Sequence, residues 1–219
     1  MSDYKYTVYL DAGHGGINPS NNQYTTYRAK QFYHGKGEFH KGKWFYEGVS
    51  NRKYVDMICD KLHELGIRYE KVYHPWLDTS LFNRVSHANH YHKNGMPGVY
   101  YSFHSNATHG HDARGFSIWT SPGYTKSDGL AEDFFMRYRK GFTNHELYNI
   151  KTLQDLKDKD HDYEAQFYVL KNTMMPAVLF ENLFFDNYED AVIINDPFYI
   201  DEYTDLFVEH VLWMQQQQL

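Results

Sequence analysis

Short apolar runs alternate along the chain with longer segments of helical period, and this alternation restricts the fold more than any other feature. The apolar runs predict strands at 6–11, 67–73, 99–103, 115–120, 167–170 and 177–180. The periodic segments predict helices at 47–65, from Thr79 or Ser80 to near Asn94, at 127–140 and at 197–214. Strands that alternate with helices favour a twisted, mostly parallel sheet with helices on both faces. We therefore expect an α/β fold, with the 115–120 strand antiparallel or at an edge.

The length of the chain fits one domain of this class. Its 219 residues contain no internal repeat and no obvious linker, so residues 1–219 are predicted to form a single domain. Two long segments, 15–46 and 143–165, show no clean period and are predicted to be irregular connections. Connections of this length in a compact domain are usually functional or mobile.

Charge and cysteine content exclude several classes of partner and site. A formal net charge of −6 disfavours nucleic acid, because binding it would require a basic face. Cys59 is the only cysteine, which rules out an intramolecular disulfide and a cysteine-rich zinc site, and we expect it to be buried in a helix. No apolar run reaches the length of a membrane span. The N-terminal residues lack the pattern of a signal peptide, so we expect cytoplasmic synthesis.

Side chains capable of catalysis or metal binding follow three of the predicted strands. Asp11 and His14 follow the first strand, His104 follows the third within YYSFHSNA, and Glu181 follows the last within PAVLFENLFF. Ligands of open α/β sheets bind beyond the carboxyl ends of the strands, so these groups should share one edge. Two histidines and a carboxylate form a known catalytic zinc set. Glu47 and Glu181 both remain candidates for the carboxylate ligand, the other serving as general base.

Other interpretations of the same residues are weaker. The glycines around His14 in YLDAGHGG do not form a dinucleotide loop, because Asn18 stands where its third glycine should be. No G-x-S-x-G segment offers a serine nucleophile. The chain has 14 histidines, and we interpret five more of them as a solvated helix face or as loop residues at the rim of the site: His87, His90, His92, His109 and His111.

Six segments in this order resemble the zinc-dependent N-acetylmuramoyl-L-alanine amidases, the type-three peptidoglycan amidases. YLDAGHGG resembles the first strand and first ligand of that family, and EGVSNRKYVDMICDKLHELGI the helix that begins with its ligand glutamate. The motifs that follow in the family are similar to three further segments, LFNRVSHAN, YYSFHSNA and GFSIW with SDGLAEDF. FYVLKNTMMPAVLFENLFFDNYED resembles the segment with the catalytic glutamate. The resemblance covers nearly the whole chain.

This resemblance implies a function and a site. It implies that His14, Glu47 and His104 hold one Zn²⁺ ion, whose fourth position takes water, and that Glu181 transfers protons. The reaction it implies is hydrolysis of the amide between the lactyl group of N-acetylmuramic acid and the L-alanine of the peptidoglycan stem peptide. The single domain is then a catalytic domain with no separate wall-binding domain, and we expect a monomer whose partner is peptidoglycan.

The substrate contacts depart from the family pattern in two places. Asn106 and Lys171 are the expected substrate-binding residues. Lys171 stands where the family often has arginine, which exchanges a guanidinium contact for an ammonium contact. After the catalytic glutamate the family favours a Gly-Phe pair, whereas here Asn182 and Leu183 precede Phe184. We therefore expect a substrate cleft of different shape.

The sequence leaves alternatives open in function and setting. A catalytically silent peptidoglycan-binding module would keep the same ligands, and a zinc peptidase would act on other amides. The absence of a visible signal peptide favours a phage lysis enzyme that waits in the cytoplasm. A chain whose signal had been removed would instead be a secreted autolysin or a spore-wall enzyme. Some members of the family carry an occluding helix in the region of 143–165, and the sequence does not decide this point.

Overall fold

The computed structural model describes residues 4–143, 145–157 and 160–219. Its strands are β1 (Thr7–Ala12), β2 (Ile17–Asn18), β3 (Gln23–Tyr24), β4 (Gln31–Tyr33), β5 (Trp44–Tyr46), β6 (Tyr69–Lys71), β7 (Gly98–Asn106), β8 (Ser117–Thr120), β9 (Tyr163–Glu164) and β10 (Ala177–Phe184). Its helices are α1 (Glu47–Glu64), α2 (Leu81–Lys93), α3 (Lys126–Phe142), α4 (Tyr168–Asn172), α5 (Tyr188–Asn195) and α6 (Pro197–Met214). A 3-10 turn spans Arg28–Lys30.

Six strands form the central sheet, in the order β6-β1-β7-β10-β8-β9. The pairs β6–β1, β1–β7 and β7–β10 are parallel. Strand β8 is antiparallel to β10, as the sequence suggested, but β9 pairs outside it, so β8 is not the edge strand. The prediction of a mostly parallel α/β sheet is confirmed.

Helices cover both faces of this sheet, as expected. One face carries α1, α3, α5 and α6 over the larger hydrophobic core, which includes the buried Cys59. The other face carries α2 and α4 over a smaller core around Val85 and Leu170. The apolar residues of β1 and β7 contribute alternately to the two cores, because successive side chains of a strand point to opposite faces.

The predicted elements differ from the structure in four places, one of which is the strand β9 within 143–165, a segment expected to be irregular. Residues 167–170, expected to be a strand, begin the short helix α4. Helix α5 was not predicted, although Asn187 caps it by accepting hydrogen bonds from the backbone of Glu189 and Asp190. The segment 15–46, expected to be irregular, contains two small antiparallel pairs, β2–β3 and β4–β5. Within the described ranges, no helix is both long and apolar enough to cross a bilayer.

Candidate metal centre

Three strands of the parallel part of the sheet bring the predicted groups to one edge. Glu181 of β10 lies directly opposite His104 of β7 in the strand register. Ala12, the last residue of β1, lies opposite Phe103, and His14 follows two residues later. Glu47 is the first residue of α1 and is fully buried. The structure therefore gathers all four groups that the resemblance assigned to metal binding and proton transfer.

The backbone of His14 is strained and held by two arginines. Its φ of 65° lies in the left-handed region, which costs a non-glycine residue about 1–2 kcal/mol. The His14 carbonyl oxygen accepts hydrogen bonds from Arg52 Nη2 at 2.9 Å and from Arg84 Nη2 at 2.8 Å. Strain of this kind persists only where surrounding contacts fix it, and it clusters at functional sites. The two guanidinium groups supply those contacts.

The glycines of YLDAGHGG and Gly48 provide space for the close approach of three elements of the site. Gly13, Gly15 and Gly16 do not have positive φ, so the left-handed residue is His14 itself. A Cβ atom on Gly13 would lie 2.5 Å from His104 Nδ1 and closer still to two other atoms of that ring. A Cβ atom on Gly48 would collide with the carbonyl oxygen of Gly15. These glycines let the loop, the helix and the imidazole approach one another.

One carboxylate oxygen of Glu47 faces both imidazoles. Glu47 Oε1 lies 3.2 Å from His14 Nε2 and 3.1 Å from His104 Nδ1. The two rings are nearly perpendicular, with an interplanar angle of 85° and 4.9 Å between their centroids. One donor atom from each of the three residues lies within 4.8 Å of the others. In the part of the chain that the structure describes, no other group of three His, Cys, Asp or Glu side chains converges in this way.

The cluster contains buried polar atoms that lack hydrogen-bond partners. Among the described residues, Glu181 Oε2 has no hydrogen-bond partner, and His14 Nε2 has only the contact with Glu47 Oε1 at 3.2 Å, which does not meet hydrogen-bond geometry. Buried polar atoms in folded proteins nearly always have a partner, so exceptions require an explanation. An imidazole nitrogen and a carboxylate oxygen are donors that zinc accepts, and two histidines with one carboxylate complete a catalytic set. The residues present therefore fit a divalent metal ion.

The two glutamates of the site have opposite electrostatic environments. Burial by itself raises the pKa of Glu47, but His14, His104 and Lys30 together hold that pKa well below its usual value. Burial, with a smaller contribution from the nearby Glu47 carboxylate, raises the pKa of Glu181 to about 7 against the opposing effects of His104 and Lys30. Glu47 is thus held as an anion, whereas Glu181 can take up and release a proton near neutral pH.

Asp11 stabilises the end of β1 rather than joining the cluster. Its buried carboxylate accepts hydrogen bonds from Arg84, from the Tyr100 hydroxyl at 2.8 Å and from Ser102 Oγ at 2.8 Å. Burial by itself raises the pKa of Asp11, but the Arg84 guanidinium brings it below the usual value. Because Arg84 also binds the His14 carbonyl, this network connects the strand end to the first predicted ligand.

Lys30 is a residue of the site that the sequence reasoning missed. Its Nζ atom lies 3.2 Å from Glu47 Oε2. Burial by itself lowers the pKa of Lys30, but the carboxylates of Glu47 and Glu181 raise it above its usual value. The sequence signal that could have found Lys30 is a pair of short runs rich in aromatic residues, 31–33 and 44–46. These runs pair as strands in the structure, and their pairing brings Lys30 beside Glu47.

The two substrate-binding candidates lie in different places. Asn106 ends β7 two residues after His104, at the edge that carries the cluster. Lys171 lies on α4 and, with Ser127, lines a cavity of about 430 Å³ near the start of β10. A separate cavity of about 370 Å³ adjoins the cluster and is lined by His14 and His104. The structure brings Asn106 to this edge and does not bring Lys171 there, and both assignments stay predictions.

The remaining predicted features lie around the cluster without joining it. His87 Nε2 lies 2.8 Å from Glu70 Oε1 on the surface of α2. His111 Nδ1 lies 2.7 Å from Asp186 Oδ2, and both residues line a cavity of about 340 Å³ with His109. The described residues of 143–165 include β9, which pairs with β8 at the edge of the sheet. None of these described residues lines the cavity that adjoins the cluster.

Sequence comparison relates the chain to one family of wall-degrading enzymes. A profile of the N-acetylmuramoyl-L-alanine amidase family matches residues 8–211. The endolysin of Bacillus phage SPP1 is 24% identical over 205 residues, which cover 93% of this chain. The chain spans 64% of the length of that relative.

Solved structures share the fold. The N-acetylmuramoyl-L-alanine amidase from Clostridium difficile 630 superposes with a TM-score of 0.73 at 23% identity, over 99% of this chain and 100% of that one. The N-acetylmuramyl-L-alanine amidase Ami1 from Mycobacterium smegmatis superposes with a TM-score of 0.71 at 18% identity, over 100% of both chains. The catalytic domain of the CD27L endolysin, with a TM-score of 0.62 at 17% identity, covers 94% of this chain and 97% of its own.

Proposed function

The chain belongs to the N-acetylmuramoyl-L-alanine amidase family, and on that premise we propose that it is a zinc-dependent peptidoglycan hydrolase. Its substrate is the amide that joins the lactyl group of N-acetylmuramic acid to the L-alanine of the stem peptide. The observation that carries this proposal is the convergence of His14, Glu47 and His104, with Glu181 directly opposite His104 in the sheet. This arrangement combines a set of metal donors with a separate acid–base group.

The residues of the cluster have distinct roles in this reaction. His14, Glu47 and His104 would hold the zinc ion, which when bound supplies a Lewis acid for the scissile carbonyl and lowers the pKa of water. Glu181 accepts a proton from the attacking water and passes it to the alanine nitrogen as the C–N bond breaks. Arg52 and Arg84 keep the His14 peptide in its strained conformation throughout.

Product analysis with a matched pair of variants tests the proposal. Purified peptidoglycan is digested, and the soluble products are identified by mass spectrometry and by labelling of new amino groups. We expect stem peptides with a free N-terminal L-alanine and one zinc ion per chain. Glu181→Gln should lower kcat by about 10²–10⁴-fold with zinc retained, whereas Glu64→Gln, on the exposed end of α1, should not change it. Full activity of Glu181→Gln would refute the role of Glu181.

The same assay separates the two alternative functions. A silent binding module would retain muropeptides without releasing amino groups, even after zinc is restored to chelator-treated protein. A zinc peptidase of broader range would cleave simple peptides as readily as muropeptides. A product whose new amino group belongs to L-alanine, formed only from muropeptides, excludes both.

We further propose that the protein acts as a lysis enzyme made in the cytoplasm. The similarity to a phage endolysin supports this setting over that of a secreted autolysin. Expression of the chain in a bacterial cytoplasm should leave cells intact until the membrane is permeabilised with chloroform, after which turbidity should fall. Lysis without permeabilisation would instead indicate export.

A further inference from the structure

The register of the β4–β5 hairpin places a lysine at the carboxylate ligand. Gln31 pairs with Tyr46, Phe32 with Phe45 and Tyr33 with Trp44. Residues 30 and 47 lie just outside this ladder, directly before β4 and directly after β5, so the first pair of the ladder joins their chain neighbours. The pairing of β4 with β5 therefore brings Lys30, the last residue of the 3-10 turn, close to Glu47, the first residue of α1, although 16 residues lie between them in the sequence.

The two oxygens of the Glu47 carboxylate have separate surroundings. Oε1 faces His14 Nε2, His104 Nδ1 and, at 3.3 Å, the backbone N–H of Ser105. Oε2 is buried, and within the described part of the chain its charged contact is the ion pair with Lys30 Nζ at 3.2 Å. Because the histidines face Oε1 and Lys30 faces Oε2, the lysine can remain in place while Oε1 binds a metal ion.

A buried carboxylate has two ways to bind a metal ion. It could offer Oε1 alone, or rotate and offer both oxygens. The ion pair with Lys30 opposes the second arrangement, because rotation would take Oε2 away from the ammonium group in a site where charges are poorly solvated. Groups that orient a metal ligand in this way affect metal affinity strongly.

We propose that Lys30 is a positioning residue of the metal centre, which holds Glu47 Oε2 so that Oε1 alone is presented to the metal together with His14 and His104. This inference rests on the proposed zinc site. It gives the segment 15–46 a role in assembling the centre, since that segment supplies Lys30 and the strand that leads into Glu47.

Three variants of the full chain test the role of Lys30. Lys30→Met removes the charge with little change in length, Lys30→Arg keeps it, and Lys41→Met is the matched control. Lys41 lies on the same segment, is exposed and contacts the backbone oxygen of Asn22. Zinc affinity is measured by competition with a chromophoric chelator, and zinc coordination by X-ray absorption spectroscopy. Urea unfolding in chelator shows whether each variant folds.

We expect Lys30→Met to weaken zinc binding by about 10–100-fold and to raise the number of oxygen atoms at coordination distance. Lys30→Arg should restore most of the affinity, and Lys41→Met should match the wild type. Lys30→Met with wild-type or higher affinity and an unchanged coordination shell would overturn the proposal while leaving the zinc site intact. A wild-type chain that binds no zinc would overturn the proposed function as well.

Discussion

Replacing Gly13 with alanine should remove His104 from the metal centre while leaving the backbone undisturbed. The φ of Gly13 is not in the left-handed region, so alanine can adopt this conformation. The added methyl group, however, would lie 2.5 Å from His104 Nδ1 and closer to two other ring atoms. The perturbation is therefore purely steric and acts on one ligand.

The size of the effect follows from contact distances. Non-bonded heavy atoms rest about 3.5 Å apart, and two ring atoms lie closer than Nδ1, so the imidazole would have to move by more than about 1 Å. Metal–ligand distances tolerate only about ±0.2 Å. Substitutions that merely support a ligand weaken metal binding by about 10–100-fold, so displacement of the ligand itself should cost about 100-fold or more.

A second glycine provides the control for this experiment. Gly129 lies on the exposed side of α3, and a Cβ atom there would meet no atom of the described residues within 4 Å. Gly129→Ala should leave zinc affinity unchanged and stabilise the helix by up to about 1 kcal/mol. Affinities are measured by chelator competition, with urea unfolding to confirm folding. A folded Gly13→Ala protein that binds zinc as tightly as the wild type would refute the steric argument.

Three further predictions concern stability. Leu183 is fully buried, so Leu183→Ala should lower the free energy of unfolding in urea by about 2–5 kcal/mol. Its φ is 65°, so Leu183→Gly should be less destabilising than Leu183→Ala by about 1 kcal/mol, because glycine relieves the left-handed strain. Burial raises the pKa of Asp162 to about 7, so its ionisation destabilises the folded state progressively between about pH 4 and pH 7. In urea unfolding, Asp162→Asn should therefore be about 1–2 kcal/mol more stable than the wild type at pH 8 and equally stable at pH 4. The gain is limited because the hydrogen bond from Thr120 offsets part of the cost of ionising Asp162 in the folded state. Arg84→Met removes the cationic partner of the buried Asp11 carboxylate and should cost about 3–5 kcal/mol, measured by thermal unfolding.

Each of these predictions has a result that contradicts it. Equal or greater loss of stability in the glycine variant would show that the φ of Leu183 carries no strain. A gain for Asp162→Asn that does not vary with pH would exclude ionisation as its cause. A small effect of Arg84→Met would show that the polar network around Asp11 compensates for the missing charge.

Elements with local signals could be predicted closely from the sequence. Helix α6 was predicted with the bounds that the structure shows, because Asp196 caps it, Pro197 opens it and the apolar spacing continues to Met214. Helix α4 was mistaken for a strand, because five residues hold little more than one turn and the apolar pair Val169-Leu170 shows no period at that length.

In the site, too, the features that depend on local sequence were predictable, and those that depend on contacts between distant segments were not. The order of His14, Glu47, His104 and Glu181 follows from the ends of elements that the sequence marks. The left-handed φ of His14 was not predictable, because the arginines that hold it come from α1 and α2. The place of Lys30 depends on pairing between two three-residue strands, which periodicity cannot detect.

The β4–β5 hairpin should tolerate insertions at its tip and reject them in its strands. Residues 35–38 are exposed, and Gly35 and Gly37 hold positive φ, so a peptide grafted there would extend into solvent with the ladder intact. A single residue inserted within β4 would shift the register and turn the preceding side chains to the opposite face, which would take Lys30 away from Glu47. A chimaera that carries a targeting peptide at this tip could thus acquire new wall specificity while its metal centre keeps its geometry.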